Sequence, residues 1–139
     1  MCRASLTRAV EFSAGHRYRR ADWSDEQNRE QFGRYAGDSG HGHNYRCEVT
    51  VRGDIDPETG MVIDLERLDA LLRKHVIDPF DHQFLNDVAD FDGGRLVPTT
   101  ENISRILWNK LEPELRPLCS LRRVRVVEEP TLWADYTGD

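Results

Sequence analysis

The chain has 139 residues, a length that suits one domain with room for a buried core. Lys plus Arg number 19 against 25 Asp plus Glu, a net charge of −6 with no basic run, which matches a phosphate backbone poorly and argues against a nucleic-acid partner. No apolar stretch approaches the ~20 residues of a membrane span. The opening MCRASLTRAVEFSAGH lacks the apolar block of a signal peptide, and Cys2, Cys47 and Cys119 form neither a disulfide framework nor a Cys-x-x-Cys metal site, so a reduced, cytoplasmic protein is expected.

Residues 3–14 read as a first strand, although Leu6, Ala9 and Phe12 break strict alternation. Residues 17–40 change character: many charges, four aromatics and few aliphatics mark a long insertion with a short helix around Ser24–Phe32. Insertions of this length in compact domains are more often functional than idle. Residues 43–52 form a second strand with Tyr45, Cys47, Val49 and Val51 on one face. After a turn at 54–61, Asp64 caps a helix carrying Leu65, Leu68, Leu71, Leu72 and Val76 at helical spacing, and Pro79 is expected to end it. A second helix follows Thr99 and Thr100, with Ile103, Ile106, Leu107 and Leu111 inward and Pro113 and Pro117 closing it. Residues 121–127 and the segment TLWADY supply two last strands. The order ββααββ predicts a single α+β domain over 1–139: a four-stranded antiparallel sheet with two helices on one face.

The histidines carry the first chemical signal. His41 and His43 in HGHNY are two residues apart on a strand, so their imidazoles project to the same side, with Gly42 between them. His16 ends the first strand in FSAGH, and an antiparallel hairpin brings that end beside the start of the second strand. Three converging imidazoles with an open fourth position are a catalytic pattern for Zn²⁺, which a borderline nitrogen ligand suits better than a hard ion. A pair of surface histidines is the plainer reading of HGH by itself, and a cupin-like site is a rival, although its remaining ligands come later in sequence rather than earlier. His75, late in a helix, complements the helix dipole.

Asp81 and His82 stand side by side in the loop after the first helix. Neighbours in sequence do not readily bond head to head, so each is expected to serve a third group: a carboxylate-assisted general base on one reading, a turn cap and a solvated imidazole on the other. Thr100 and Glu101 open the second helix, where an N-cap and a first-turn acid explain them without function. Glu128 by itself is a charge at the end of a strand.

Together FSAGH, the polar insertion ending in FGRY, HGHNY, DH, TTEN and VxVxE resemble, in order and over almost the whole chain, the 6-pyruvoyl-tetrahydropterin synthase / 6-carboxytetrahydropterin synthase family. The resemblance implies a tunnelling fold whose trimers close a barrel and stack into hexamers. It implies catalytic zinc on His16, His41 and His43, and a proton relay from Asp81 and His82 that works across a subunit interface. Glu128 would anchor the pterin ring through two parallel hydrogen bonds, with Thr100 and Glu101 lining that pocket. The family substrate is 7,8-dihydroneopterin triphosphate, whose side-chain hydroxyls zinc would hold.

One departure matters. The pyruvoyl-forming members place a cysteine six residues before the first His of HGH, and the carboxy-forming members four; this chain has Tyr35 and Gly37 there. Cys47 lies further along the strand and does not replace it by position. Relatives with glutamate in place of the cysteine cleave the pterin side chain to 6-hydroxymethyl-dihydropterin, and Glu30 and Asp38, which this insertion offers, are not at the matching position. The expectation is therefore a zinc-dependent pterin lyase in which Tyr35 takes the place of the catalytic cysteine. Side-chain cleavage by a retro-aldol reaction, or pterin and zinc binding without turnover, are the alternatives.

Overall fold

The computed structural model describes residues 2–37 and 39–139; Asp38 therefore lies outside the described residues. In chain order the elements are β1 (Arg3–His16), α1 (Asp25–Phe32), β2 (His41–Asp54), α2 (Leu65–Leu72), α3 (Asp78–Phe80), β3 (Gln83–Phe84), α4 (Thr100–Leu115), β4 (Ser120–Glu129) and β5 (Leu132–Tyr136). The sheet runs β3-β1-β2-β4-β5. β1 and β2 pair antiparallel along their whole length, from Arg3 opposite Asp54 to His16 opposite His41.

The expected four-stranded antiparallel sheet is corrected to five strands, because β3 joins β1 in parallel at Ala14 and Gly15. The cause is local. The His82 N–H donates to the Ser13 carbonyl at 2.6 Å, and the Ser13 N–H donates to Asp81 Oδ1 at 2.9 Å, which lays the chain after α3 along the edge of β1. The order ββααββ likewise gives way to βαβααβαββ, since the insertion holds α1 with a complete capping box from Ser24 and Gln27. Two prolines do not stop their helices where expected. Pro79 sits in the first turn of α3, where an N–H is not needed, and a five-residue π-helical stretch, Arg73–Ile77, joins α3 to α2. Pro113 lies inside α4, which ends two residues later at Leu115.

Strand alternation sends Phe12, Ala14, Tyr45, Cys47, Val49, Val51, Val124 and Val126 to one face of the sheet, all buried. The same core contains Leu68, Leu71 and Leu72 of α2 and Ile103, Leu107, Leu111 and Leu115 of α4, so these two helices cover that face. The other face is polar, with a Thr7–Thr50 hydroxyl pair and Arg46 and Arg123 flanking Glu48. The inward parity of β1 and β2 runs on past the core to His16, His41 and His43 at the end of the hairpin.

Candidate functional site

His16 is fully buried, His43 half-buried and His41 exposed, and their ligand nitrogens all lie within 4.8 Å of one another. His16 and His41 face each other directly across the β1–β2 ladder, and His43 stands opposite Ala14, one inward position further in. The hairpin expectation for the three imidazoles holds for this reason: a register without slippage puts all three on one face. His16 Nδ1 lies 2.7 Å from the Pro98 carbonyl, which accepts a hydrogen bond from the Nδ1–H and leaves the Nε2 lone pair available to a ligand. That contact also ties the residue before the Thr99 cap of α4 to the site.

Glu128 joins them. It continues the inward parity of Val124 and Val126, it is 6 % exposed, and its Oε1 lies 3.2 Å from His16 Nε2 and 3.7 Å from His43 Nε2. Among the described residues only three buried side-chain atoms lack a hydrogen-bond partner, and two of them, His43 Nε2 and Glu128 Oε1, face each other here. An orphaned buried polar group costs about 1–3 kcal/mol, so natural structures rarely keep two together without a ligand. Burial and the neighbouring imidazoles lower the His41 and His43 pKa values, which favours the neutral, ligating form. Burial raises the Glu128 carboxyl, but the close approach of His16 and the charges of the other two histidines outweigh it and hold it below the usual range. Three imidazole nitrogens beside a carboxylate are a donor set that fits a borderline divalent cation.

A cavity of about 450 Å³ opens on this cluster, lined by His41, His43, Glu128, Tyr18, Arg34 and Tyr35 among others. Tyr35 thus shares a cavity with the histidines, carried there by a single 3₁₀ turn, Gly33–Ala36. Its hydroxyl accepts a hydrogen bond from Arg34 at 2.9 Å, and that guanidinium lies 5.0 Å from its ring centre. Tyr18, two residues beyond His16, packs at 5.5 Å from the Tyr35 ring; burial, with Glu128 and Glu101 next, pushes its hydroxyl up to about 12. Sequence reasoning passed over Tyr18 and Arg34, although Tyr18 continues the parity of His16 and Arg34 precedes the departing position. Cys47 is buried in the core, its thiol pushed up to about 12 by burial, and it takes no part in the cavity.

Asp81 and His82 correct another expectation. They do meet head to head, Asp81 Oδ2 lying 2.9 Å from His82 Nδ1. They do so where His82 has φ +60°, a left-handed backbone geometry. Asp81 is held below the usual carboxylate range by the Ser13 N–H and by His82. His82 lies on a second cavity of about 460 Å³, which Ser13, Gly15, Gly42 and His43 also line. Thr100, buried, donates to Glu101 Oε1 at 2.9 Å at the start of α4, whose cap is Thr99 rather than Thr100. Neither Thr100 nor Glu101 lines either of these cavities. His75, given a helix-dipole role from sequence, instead pairs with Glu114.

A three-histidine cluster that grades from the buried His16 to the exposed His41, at the open end of the β1–β2 pair and with a carboxylate facing it, defines a candidate cation site on a cavity. Over residues 5–139 the sequence matches the family described as 6-pyruvoyl tetrahydropterin synthase, and the chain belongs to that family. It is 40 % identical over 139 residues to the human 6-pyruvoyl tetrahydrobiopterin synthase, covering 99 % of this chain and 94 % of the human one. It is 29 % identical over 115 residues to the 6-carboxy-5,6,7,8-tetrahydropterin synthase of Haemophilus influenzae, covering 69 % of this chain and 80 % of that protein. Among solved structures, the Caenorhabditis elegans 6-pyruvoyl tetrahydropterin synthase superposes with a TM-score of 0.90 at 35 % identity, covering 100 % of this chain and 98 % of that one.

Proposed function

We propose that this protein is a zinc-dependent lyase acting on 7,8-dihydroneopterin triphosphate or a related dihydropterin. The observation that carries the reading is the convergence of His16, His41 and His43, with the orphaned Glu128 oxygen beside His16 and His43, in a chain of this family. His16, His41 and His43 would hold the zinc, which when bound would polarise the side-chain hydroxyls of the pterin and acidify the carbons that bear them. Glu128 would accept hydrogen bonds from the pterin's amino group and ring nitrogen, with Thr100 and Glu101 completing that end of the pocket.

Asp81 and His82 would form the proton relay. With Nδ1–H donating to Asp81, the His82 Nε2 is left bare as a base, and Ser13 fixes the carboxylate that orients it. The side chain of His82 is 82 % exposed, which suits delivery into the site of a neighbouring subunit. Both sheet edges favour such an assembly: β3 covers only Ala14 and Gly15 of β1, and β5 has an open side. A closed homo-oligomer, a hexamer built as a dimer of trimers, is the expected state, and a monomer mass in light scattering would reject it.

Tyr35 favours a second reading of the reaction. A phenol in place of the family cysteine is a weaker source of base at neutral pH. Retro-aldol cleavage to 6-hydroxymethyl-dihydropterin needs a metal and a base but no elimination of triphosphate. Incubating zinc-loaded protein with dihydroneopterin triphosphate and identifying products by mass spectrometry separates the two. Recovery of unaltered substrate would leave a pterin-binding protein and reject both.

A further inference from the structure

Resting on the zinc reading above, we propose that Glu128 is the fourth ligand of the cation while no pterin is bound, and that it leaves the cation for the pterin when substrate enters. One carboxylate then has two alternating partners.

The geometry carries this. Bonds of ~2.0–2.1 Å to a tetrahedral zinc put neighbouring ligand atoms ~3.4 Å apart. The observed separations are 3.0 Å between His16 Nε2 and His41 Nε2, 3.2 Å between His16 Nε2 and Glu128 Oε1, and 3.7 Å between His43 Nε2 and Glu128 Oε1. The two Glu128 distances, to His16 and His43, lie close to that edge; the group whose ligand atoms all stand within 4.8 Å of one another is the three histidines, so the carboxylate closes on the His41 side when the cation binds. A carboxylate whose sole task was to hold the pterin ring would not need an oxygen inside the imidazole cluster, out of hydrogen-bonding geometry with every neighbour. The backbone aims it there. Glu128 keeps the inward parity of Val124 and Val126, and the β4–β5 ladder slips between Val127 and Glu129, which leaves Glu128 without a partner in β5. Its side chain is 6 % exposed, so bulk water does not compete freely for that oxygen.

The arrangement has a consequence for selectivity. A site closed by its own carboxylate resists small anions and stray donors, whereas a pterin offers an amino group and ring nitrogen to the carboxylate together with hydroxyls for the cation. Only a ligand carrying both ends can open the site fully.

The experiment uses the full chain loaded with cobalt(II), whose visible absorption reports its ligands, titrated with azide as a small anionic probe. Wild type is expected to bind azide at least tenfold more weakly than Glu128→Gln, and Glu128→Ala should behave like Glu128→Gln. Solvent-proton relaxation supplies a readout on wild type alone: the cobalt-loaded protein should show little excess over the zinc-loaded one, because the cation is shielded from water. Equal azide affinity in wild type and variants, or strong excess relaxation in wild type, would overturn the proposal while leaving the three-histidine site standing. Failure of wild type to take up cobalt at all would instead remove the zinc reading, and the proposal with it.

Discussion

Replacing Asn86 by leucine should cost about 2–4 kcal/mol of stability, and most of that loss lies beside the candidate metal site. Asn86 is buried at 8 % exposure, in the one-turn helix after β3. Its side-chain oxygen accepts the Arg17 N–H at 2.9 Å and its amide donates to the Arg17 carbonyl at 3.0 Å. Arg17 follows His16, so this clamp fixes the point where β1 ends and the insertion begins. Leucine has a similar volume and neither polar group. Both hydrogen bonds are lost, and the two backbone groups left behind cost ~1–3 kcal/mol each if they stay dry, ~2–6 kcal/mol together. Arg17 is only half-buried, so water recovers part of that loss and the lower half of the summed range applies. For a chain of this length that is a fall in Tm of roughly 7–14 °C. Urea unfolding followed by tryptophan fluorescence, at one fixed protein concentration because assembly couples to stability, measures it. A loss below ~0.5 kcal/mol, the scale of an ordinary surface substitution, would refute the clamp.

Three further outcomes are expected. His43→Ala should abolish stoichiometric zinc binding while leaving the far-ultraviolet circular dichroism unchanged; full occupancy by metal analysis in the variant would remove the three-histidine site. Metal-free protein should lose stability as the pH falls below ~6.5, because His41 and His43 have lowered pKa values in the folded chain, so the unfolded chain binds more protons in that window; equal denaturation midpoints at pH 7.5 and 5.5 in chelator-treated protein would contradict this. Tyr35→Cys should raise formation of 6-pyruvoyl tetrahydropterin by tenfold or more, since an ordinary thiol yields its anion ~1.5 pH units below an ordinary phenol, a difference of ~2 kcal/mol. A wild type already turning over at least as fast as Tyr35→Cys would show that the base lies elsewhere.

What the sequence made legible was whatever depends on a short period. Tyr45, Cys47, Val49 and Val51 alternate and are all buried, and the same period of two carried His41 and His43 to one face. What it hid depends on single backbone torsions or on partners distant in sequence. β3 is two residues long and exists only because Asp81 and His82 bond to Ser13, so no propensity pattern announces it. The Asp81–His82 contact occurs with φ +60° at the histidine, a conformation uncommon outside glycine that no residue pattern announces. Glu128 looked like a strand-end charge because the feature that matters, its closeness to imidazoles on β1 and β2, is a tertiary fact.

Tyr35 shows why the family alone does not settle the chemistry of this chain. The 3₁₀ turn carries Tyr35 to the cavity beside His41, His43 and Glu128, at the position where the family resemblance implies a cysteine. The substitution has not left a bare ring in the cavity: Arg34 donates to the hydroxyl and packs over the ring, and Tyr18 lies against its other neighbour space. A guanidinium bonded to the phenol oxygen takes one acceptor site and leaves the O–H proton free to be given to a ligand. A thiol at this position would act chiefly by taking a proton; a phenol so held is better suited to giving one. In the proposed reaction the Asp81–His82 pair would supply the complementary group, an imidazole nitrogen oriented by a carboxylate. An acid at one side of the pterin side chain and a base at the other is the division of labour that carbon–carbon cleavage requires, one to remove a hydroxyl proton and one to quench the carbanion that forms. The product analysis described above therefore bears on Tyr35 directly: 6-hydroxymethyl-dihydropterin from wild type, lost in Tyr35→Phe, is the outcome this division of labour demands.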